Sequence, residues 1–411
     1  MADLLITNIG ELATPTGSAA QHGKEQGNVE VIFDAAVAVS GGKIVFTGKA
    51  KDAPQAADTI DAGGCLVTPG LVDAHTHLVF GGWRQHEMAQ KLAGASYLDI
   101  LMQGGGILST VKSTREASEE DLYQKAVGSL AQMLAHGTTA CEAKSGYGLS
   151  LEGELKQLRV IQKLQQTGVV DLRSTFMGAH AIPNEYKSDR EGYIRLLTEE
   201  MLPTVADSGL AEFCDIFCET AVFTPAESRE ILLRAKELGY RLKIHADEID
   251  CIGGSELAAE VGAISAEHLI QTSDKGIMDM AKAGVIAVLL PATSFYLDKP
   301  FARARKMIGE GVAVAIATDF NPGSSPNLNL QFAMNLACLK YKLTPLEALT
   351  AVTLNAAAAI GMAETIGSIE VGKQADLVLW DAPDLNYIFY RYGSNLVHTV
   401  IKKGIPIRTI V

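Results

Sequence analysis

The sequence predicts an α/β fold: a (β/α)8 barrel of the TIM type with a small β-sheet domain formed by the N- and C-terminal segments. Three observations carry that expectation. Eight short apolar runs alternate with amphipathic helical stretches between residues 71 and 318. Those runs are near-continuous in Val, Ile, Leu and Ala, as strands covered on both faces are. Polar residues, histidines above all, recur where the runs end. A doubly wound sheet is the competing arrangement, but no Gly-x-Gly-x-x-Gly follows the first run to support it.

Taken in order, residues 1–65 read as a small β unit. Residues 37–39 and 44–46 flank Gly41-Gly42, a hairpin signal, and Asp61-Ala62-Gly63-Gly64 marks another turn. The polar, glycine-containing stretch 14–28 is expected to be an exposed loop. The apolar run 65–70 ends in Pro69-Gly70, a turn feeding the first barrel strand. Side chains alternate faces along a strand, so His75 and His77 point the same way. Ser118 caps a helix whose first turn holds Glu119, Glu120 and Asp121, as the helix dipole favours. Its apolar stripe is Leu122, Ala126, Leu130, Met133 and Leu134, and Gly137 stops it. Strands are then expected at 138–143, 169–177, 211–218, 241–245, 263–267, 285–290 and 312–318, with a helix between each successive pair. Thr224-Pro225-Ala226-Glu227 and Thr344-Pro345-Leu346-Glu347 are capping boxes, the second opening a helix through Ala359. Runs 376–380 and 399–407 read as strands. The expected division is therefore a composite β domain from 1–65 with 366–411, and a barrel from 66–365.

Composition narrows the partners. At 411 residues and 47 % hydrophobic, the chain can bury a large core. The net charge of −13, without a basic stripe, argues against a nucleic-acid partner. The longest apolar runs, 285–290 and 312–317, are too short to cross a membrane, and the N-terminus has no cationic, apolar signal pattern. Cysteines at 65, 141, 214, 218, 251 and 338 are scattered, so all six read as buried thiols in a reducing compartment, and the cytoplasm is expected.

Barrel enzymes carry their chemistry at the C-terminal ends of the strands. The sequence places His75, His77 and Arg84 after the first strand, Glu142, Lys144 and Tyr147 after the second, and His180 after the third. Glu219 follows the fourth, His245, Asp247 and Glu248 the fifth, His268 the sixth, and Asp319, Asn321, Gly323 and Ser324 the eighth. Five of the nine histidines gather at these ends, where a core-filling histidine has no reason to cluster. His75, His77, His245 and Asp319 form a nitrogen- and oxygen-rich set suited to one divalent metal ion, zinc or iron. A metal with an open position lowers the pKa of bound water to about 7. The Gly104-Gly105-Gly106 triplet reads as a flexible loop, because no Gly-Lys-Ser/Thr follows to make a phosphate cradle.

Asp73-Ala74-His75-Thr76-His77, the His245 and His268 strand ends, Asp319, Thr344-Pro345-x-Glu347-Ala348-Leu349 and Gly372-Lys373-x-Ala375-Asp376-Leu377 together resemble the amidohydrolase superfamily along nearly the whole chain. More narrowly, Phe80-Gly81-Gly82-x-Arg84, Gly104-Gly105-Gly106-Ile107, Glu142-x-Lys144-Ser145-Gly146-Tyr147-Gly148, His180-Ala181-Ile182-Pro183 and Asp319-Phe320-Asn321-Pro322-Gly323-Ser324 are similar to the imidazolonepropionase family. The resemblance implies metal-dependent hydrolysis of the cyclic amide of 4-imidazolone-5-propanoate to N-formimino-L-glutamate. Such a ring opening needs a nucleophile at neutral pH, charge stabilisation on the carbonyl oxygen and a proton for the leaving nitrogen.

The implied catalytic groups are Asp319, as ligand and proton shuttle, His268, which polarises the carbonyl or orients the water, and Glu248. Glu248 and His180 are expected to hold the ring, Arg84 and Tyr147 the propionate, and Asn321, Gly323 and Ser324 the product's carboxylate. Related binuclear enzymes carry a bridging lysine after the fourth strand, where this chain has Glu219, so Lys144 is not read as a bridge and one metal is expected. The relatives also imply a homodimer. Two alternatives stand beside this. One is another cyclic amidohydrolase or a nucleobase-type deaminase on the same scaffold, which a site without a cationic anchor would favour. The other is a catalytically dead binding protein, which would lack ligands that are all present here.

Overall fold

The structure is a computed structural model that describes residues 1–94 and 105–408, so Gly104 of the glycine triplet lies outside the described residues. Eight parallel strands, Leu71–Asp73, Thr138–Lys144, Asp171–Ala179, Phe213–Cys218, Arg241–Ala246, Ser265–His268, Ile286–Leu289 and Val314–Ile316, pair in chain order. Helices pack outside them, as the alternating pattern predicts.

The ring closes just beyond the ends of the first and eighth strands. Asp319 N donates to His75 O at 3.0 Å and His77 N donates to Phe320 O at 2.9 Å. Below these bonds, Thr318 donates through N and Oγ1 to the Asp73 carboxylate, at 3.0 and 2.6 Å. Asp73 is fully buried, and desolvation raises its pKa to about 7 against the bonds from Thr318. The closure places His75, His77 and Asp319 side by side.

The other sheet joins the two ends of the chain. Its order is Ile405–Arg408, Val397–Lys402, Leu377–Trp380, Leu66–Pro69, Ala2–Pro15, Val29–Ser40 and Lys43–Lys49, with Ala56–Asp61 also paired to the first of these in sequence. Gly41 and Gly42 turn the expected hairpin with φ of +57° and +75°, the left-handed geometry that glycine favours. The chain leaves this sheet for the barrel at Gly70. A Cβ there would lie 2.3 Å from Thr139 Oγ1, so the two sheets approach too closely for any side chain.

Local signals held where they were explicit. The helix Glu119–Ala135 is capped by Ser118, which accepts from Asp121 N, and buries the expected stripe. Both capping boxes are formed, at Thr224 and at Thr344. Three expectations differ. Stretch 14–28 is not simply exposed: it contains the 3-10 turn Gly23–Gly27, and the buried Gln26 amide donates to Val314 O at 3.0 Å and accepts from Val314 N at 2.9 Å. The helix expected through Ala359 breaks into Pro345–Ala351 and Leu354–Ala359, because Val352 O turns aside to accept from Val72 N of the first barrel strand. All six cysteines are free, but only Cys141, Cys214 and Cys218 are buried; Cys65 and Cys338 are half-buried and Cys251 is exposed. Among the described residues, no helix is long and apolar enough to cross a membrane.

Candidate active site

The four expected ligands converge at the mouth of the barrel. Donor atoms of His75, His77 and His245 lie within 4.8 Å of one another. His245 Nε2 is 3.4 Å from His77 Nε2, and Asp319 Oδ1 is 3.5 Å from His75 Nε2 and 3.6 Å from His77 Nε2. Donors about 2.0–2.1 Å from one tetrahedral ion stand roughly 3.3–3.4 Å apart, so the spacing fits a single zinc-sized ion. The chemistry fits too. His75 Nε2 is buried without a hydrogen-bond partner among the described residues, a cost that a bound cation would remove. Burial holds His75 and His77 well below the usual imidazole pKa, with Lys144 and His180 respectively acting next, so both rings are neutral donors.

Asp215, in the fourth strand, stands behind this cluster. Its Oδ2 lies 3.1 Å from His245 Nδ1, which leaves Nε2 to face the other ligands. Burial lowers the His245 pKa, but the Asp215 charge outweighs it and the pKa is raised. Sequence reading missed Asp215, although an acid inside the apolar run Phe213–Cys218 is itself a signal. Asp215→Asn is expected to weaken metal binding by ~10–100-fold, as loss of a carboxylate behind a ligating histidine does. Competition with a chelator measures this, and unchanged affinity would leave Asp215 with a packing role only.

Asp319 turns its second oxygen away from the histidines, where Oδ2 accepts from Thr293 Oγ1 at 2.6 Å. Burial raises its pKa to about 6. Thr293 follows the seventh strand and carried no sequence signal. His268 Nε2 lies 3.6 Å from Glu248 Oε2, and its ring centroid is 5.2 Å from that of His245. Burial, then the Asp319 charge, raises the Glu248 pKa to about 8. Asp319 and His268 both adopt left-handed backbone, at φ +54° and +68°. Strain of that kind in non-glycine residues gathers at functional sites. Glu219 accepts from the backbone N–H groups of Glu248, Ile249 and Asp250, at 3.0, 2.8 and 3.2 Å, and so hangs the Glu248 loop from the fourth strand.

The expected substrate side chains ring the same mouth. His180 stacks on His77 with centroids 4.9 Å apart, its Nδ1 3.0 Å from Gly146 O, and its ring is 5.3 Å from that of Tyr147. Burial lowers the His180 pKa to about 3, so it is a neutral hydrogen-bonding group. Glu154 and Gln157 hold the intervening loop: Glu154 accepts from Gly146, Gly148 and Leu149 N, and Gln157 from Tyr147 N.

Arg84 is more constrained than a free anchor. Its Nε and Nη2 each donate to Glu87 at 2.9 Å, because a largely buried guanidinium needs a counter-charge. Its Nη1 faces the loop after the eighth strand, where a Cβ on Gly323 would lie 2.2 Å away. The i,i+3 spacing of Arg84 and Glu87 was readable in the sequence, yet the pair was not anticipated. Asn321 is spent within its own loop. Its Nδ2 donates to Asp319 O at 2.7 Å and Ser324 Oγ at 2.9 Å, and its Oδ1 accepts from Gly323 and Ser324 N, both at 2.8 Å.

Comparison with known proteins places these features in a lineage. The model of the amidohydrolase family matches residues 66–407. An imidazolonepropionase from Thermoanaerobacter pseudethanolicus is 52 % identical over 401 residues, covering 98 % of this chain and 97 % of that one. Another, from Alkaliphilus metalliredigens, is 54 % identical over 411 residues with the same coverage. Among solved structures, an adenosine deaminase from Xanthomonas campestris with bound zinc matches at TM-score 0.69 and 23 % identity, over 99 % of this chain and 94 % of that one. An atrazine chlorohydrolase from Arthrobacter aurescens matches at TM-score 0.75 and 18 % identity, over 98 % and 95 %. At such identities the solved structures speak for the fold alone. The curated relatives span the whole chain at more than half identity, and the histidine and aspartate cluster lies inside the matched region: the chain belongs to the amidohydrolase family, among its imidazolonepropionases.

Proposed function

We infer that this chain hydrolyses 4-imidazolone-5-propanoate to N-formimino-L-glutamate in the degradation of histidine. The observation that carries the reading is the convergence of His75, His77 and His245, with donor atoms within 4.8 Å of one another and Asp319 Oδ1 3.5 and 3.6 Å from the first two, near a loop that Arg84 faces. Those four residues would hold one divalent ion, zinc or iron. Such an ion supplies Lewis acidity and acidifies a water to a pKa of about 7.

The chain's own groups do the rest. Asp319 Oδ1 takes the proton of the attacking water, steadied through Oδ2 by Thr293. His268 polarises the ring carbonyl or aligns the water, with Glu248 beside it. Glu248 is raised to a pKa of about 8, so at neutral pH it carries a proton that it can share with the ring. His180 is the neutral partner of the ring's polar atoms. Arg84 and Tyr147 take the propionate, while Gly323 and Ser324 close the far end on a loop that Asn321 shapes. The catalytic unit is the barrel, entered at Gly70 rather than at 66 and running to 365, and residues 1–69 with 366–411 make the supporting β domain, because Leu66–Pro69 pairs inside its sheet. We read the working form as a cytoplasmic homodimer.

Elemental analysis of purified protein, coupled to loss of imidazolone absorbance, tests the reading. Metal-loaded protein that leaves imidazolone propionate intact but deaminates a nucleobase would transfer the site to the alternative chemistry.

Substrate choice gives a sharper test. The protein is strongly acidic, so a pocket for a propionate needs a local cation, and Arg84, facing the loop after the eighth strand, supports that reading. Removing one partner of a buried charge pair costs about 2–5 kcal/mol, much of it from the charge left behind. Arg84→Ala is expected to lower kcat/KM for the propionate substrate by well over ~10-fold, each 1.4 kcal/mol being about a factor of ten. It should cost little for an imidazolone without the carboxylate. Glu87, left without its guanidinium, makes a lowered Tm a separate expectation. Comparing both substrates on wild type and variant forms a double cycle. Equal slowing of the two would make Arg84 a structural residue.

A further inference from the structure

Beneath His245 the barrel buries a run of charge that the proposed reaction does not use. Lys144 Nζ lies 2.7 Å from Asp215 Oδ2 and 2.7 Å from Glu142 Oε2. Lys243 Nζ lies 3.4 Å from Glu142 Oε1 and 3.4 Å from Glu267 Oε1. All five side chains are buried, and the signs alternate from Asp215 through Lys144, Glu142 and Lys243 to Glu267. Hydroxyl groups complete the carboxylates: Thr175 Oγ1 donates to Glu142 Oε1 and Ser265 Oγ to Glu267 Oε1, each at 2.5 Å. Burial works against the Lys144 ammonium, but Asp215 and Glu142 outweigh it and raise its pKa, so the charge stays. An ammonium in that state is a poor nucleophile, which agrees with Lys144 not serving as a modified, metal-bridging lysine.

Donor atoms of Asp215, His245 and Glu267 lie within 4.8 Å of one another, a second three-donor group that shares His245 with the first. The Lys144 ammonium touches that group through Asp215. We propose that Lys144 is its fixed cation, taking with protein charge the place a second metal ion would fill, and so limits the site to one metal per chain. The proposal rests on reading His75, His77, His245 and Asp319 as the metal site.

The charge balance says what removal should do. With every group ionised, three carboxylates face two ammonium groups, leaving one negative charge in excess. Without Lys144 the excess is two, in a buried setting where an unpaired charge is expensive. A divalent ion entering among Asp215, His245 and Glu267 brings two positive charges: one replaces the ammonium, and the other offsets the Nδ1 proton that His245 releases to solvent when both ring nitrogens ligate. Lys144 is thus a positioning residue acting through Asp215 and His245, and metal count is a readout that a purely structural lysine would not move.

Wild type, Lys144→Met and Lys144→Arg would each be loaded with excess zinc, desalted and subjected to elemental analysis. The expected counts are one zinc per chain for wild type and Lys144→Arg, and two for Lys144→Met. Folded Lys144→Met that holds one zinc overturns the proposal while leaving the metal site standing. Wild type that holds none overturns the metal-site reading and this proposal with it. Should Lys144→Met fail to fold, Lys144→Gln removes the same charge while its amide can still meet Asp215 and Glu142, and it keeps every carboxylate of the cluster. The same count of two is expected there, and a count of one overturns the proposal.

Discussion

Asp319→Asn is expected to keep the metal and to lower turnover by at least ~10²-fold, the lower end of what a general acid–base group contributes. The two oxygens of Asp319 have separate tasks. Oδ1 stands 3.5 and 3.6 Å from the Nε2 atoms of His75 and His77, and Oδ2 accepts from Thr293 Oγ1 at 2.6 Å. An asparagine can match both positions, because the Thr293 hydroxyl can accept from an amide N–H as readily as it donates to a carboxylate. The amide oxygen then faces the histidines as a ligand, but it has no basicity with which to take a proton from water. Elemental analysis and steady-state turnover on the same preparation separate the two roles. Near-normal turnover with metal bound would remove Asp319 from proton transfer. Loss of both would make it a ligand first.

His245→Ala is expected to have a larger effect, abolishing metal retention and turnover together. His245 joins the histidine cluster to its support: its Nε2 lies 3.4 Å from His77 Nε2, and its Nδ1 lies 3.1 Å from Asp215 Oδ2. Truncation removes one of four donors. It also leaves the buried Asp215 with Lys144 as its remaining charged partner on that side. Three donors of four would hold the ion more weakly, with water in place of the lost imidazole. The check is metal content after dialysis against a chelator, alongside the imidazolone assay and a thermal melt to confirm folding. Folded protein that retains metal at wild-type occupancy would take His245 out of the ligand set.

Lys144→Met probes the opposite face of the same imidazole, and the two experiments bear on each other. If His245 joins an occupied cluster to an ammonium-filled one, removing the ring should empty the first, whereas removing the ammonium should open the second.

The elements and the addresses of the chemistry are legible in the residue pattern alone. Alternation of apolar runs with helical stripes is a local property, set by how strands and helices bury one face or two. It gave the eight barrel strands to within a few residues and put His75, His77, His245, His268 and Asp319 at their ends. Caps at Ser118, Thr224 and Thr344 were equally local, because one side chain satisfies backbone groups three residues away. The Arg84–Glu87 pair was legible at the same range and was passed over.

Which distant side chains share a buried counter-charge follows from long-range packing and from nothing local. Lys144 and Asp215 lie 71 positions apart, Asp73 and Thr318 are 245 apart, and Thr293 reaches Asp319 across 26. No periodicity announces such pairs. The cost of burying a charge or a hydroxyl alone demands a partner without saying from which strand it comes. Closure of the barrel supplies the answer, by bringing the ends of strands far apart in sequence to within a few ångströms. For the same reason an aspartate in an apolar strand, Asp215, stands against His245, and a lysine at a strand end, Lys144, lies between Asp215 and Glu142.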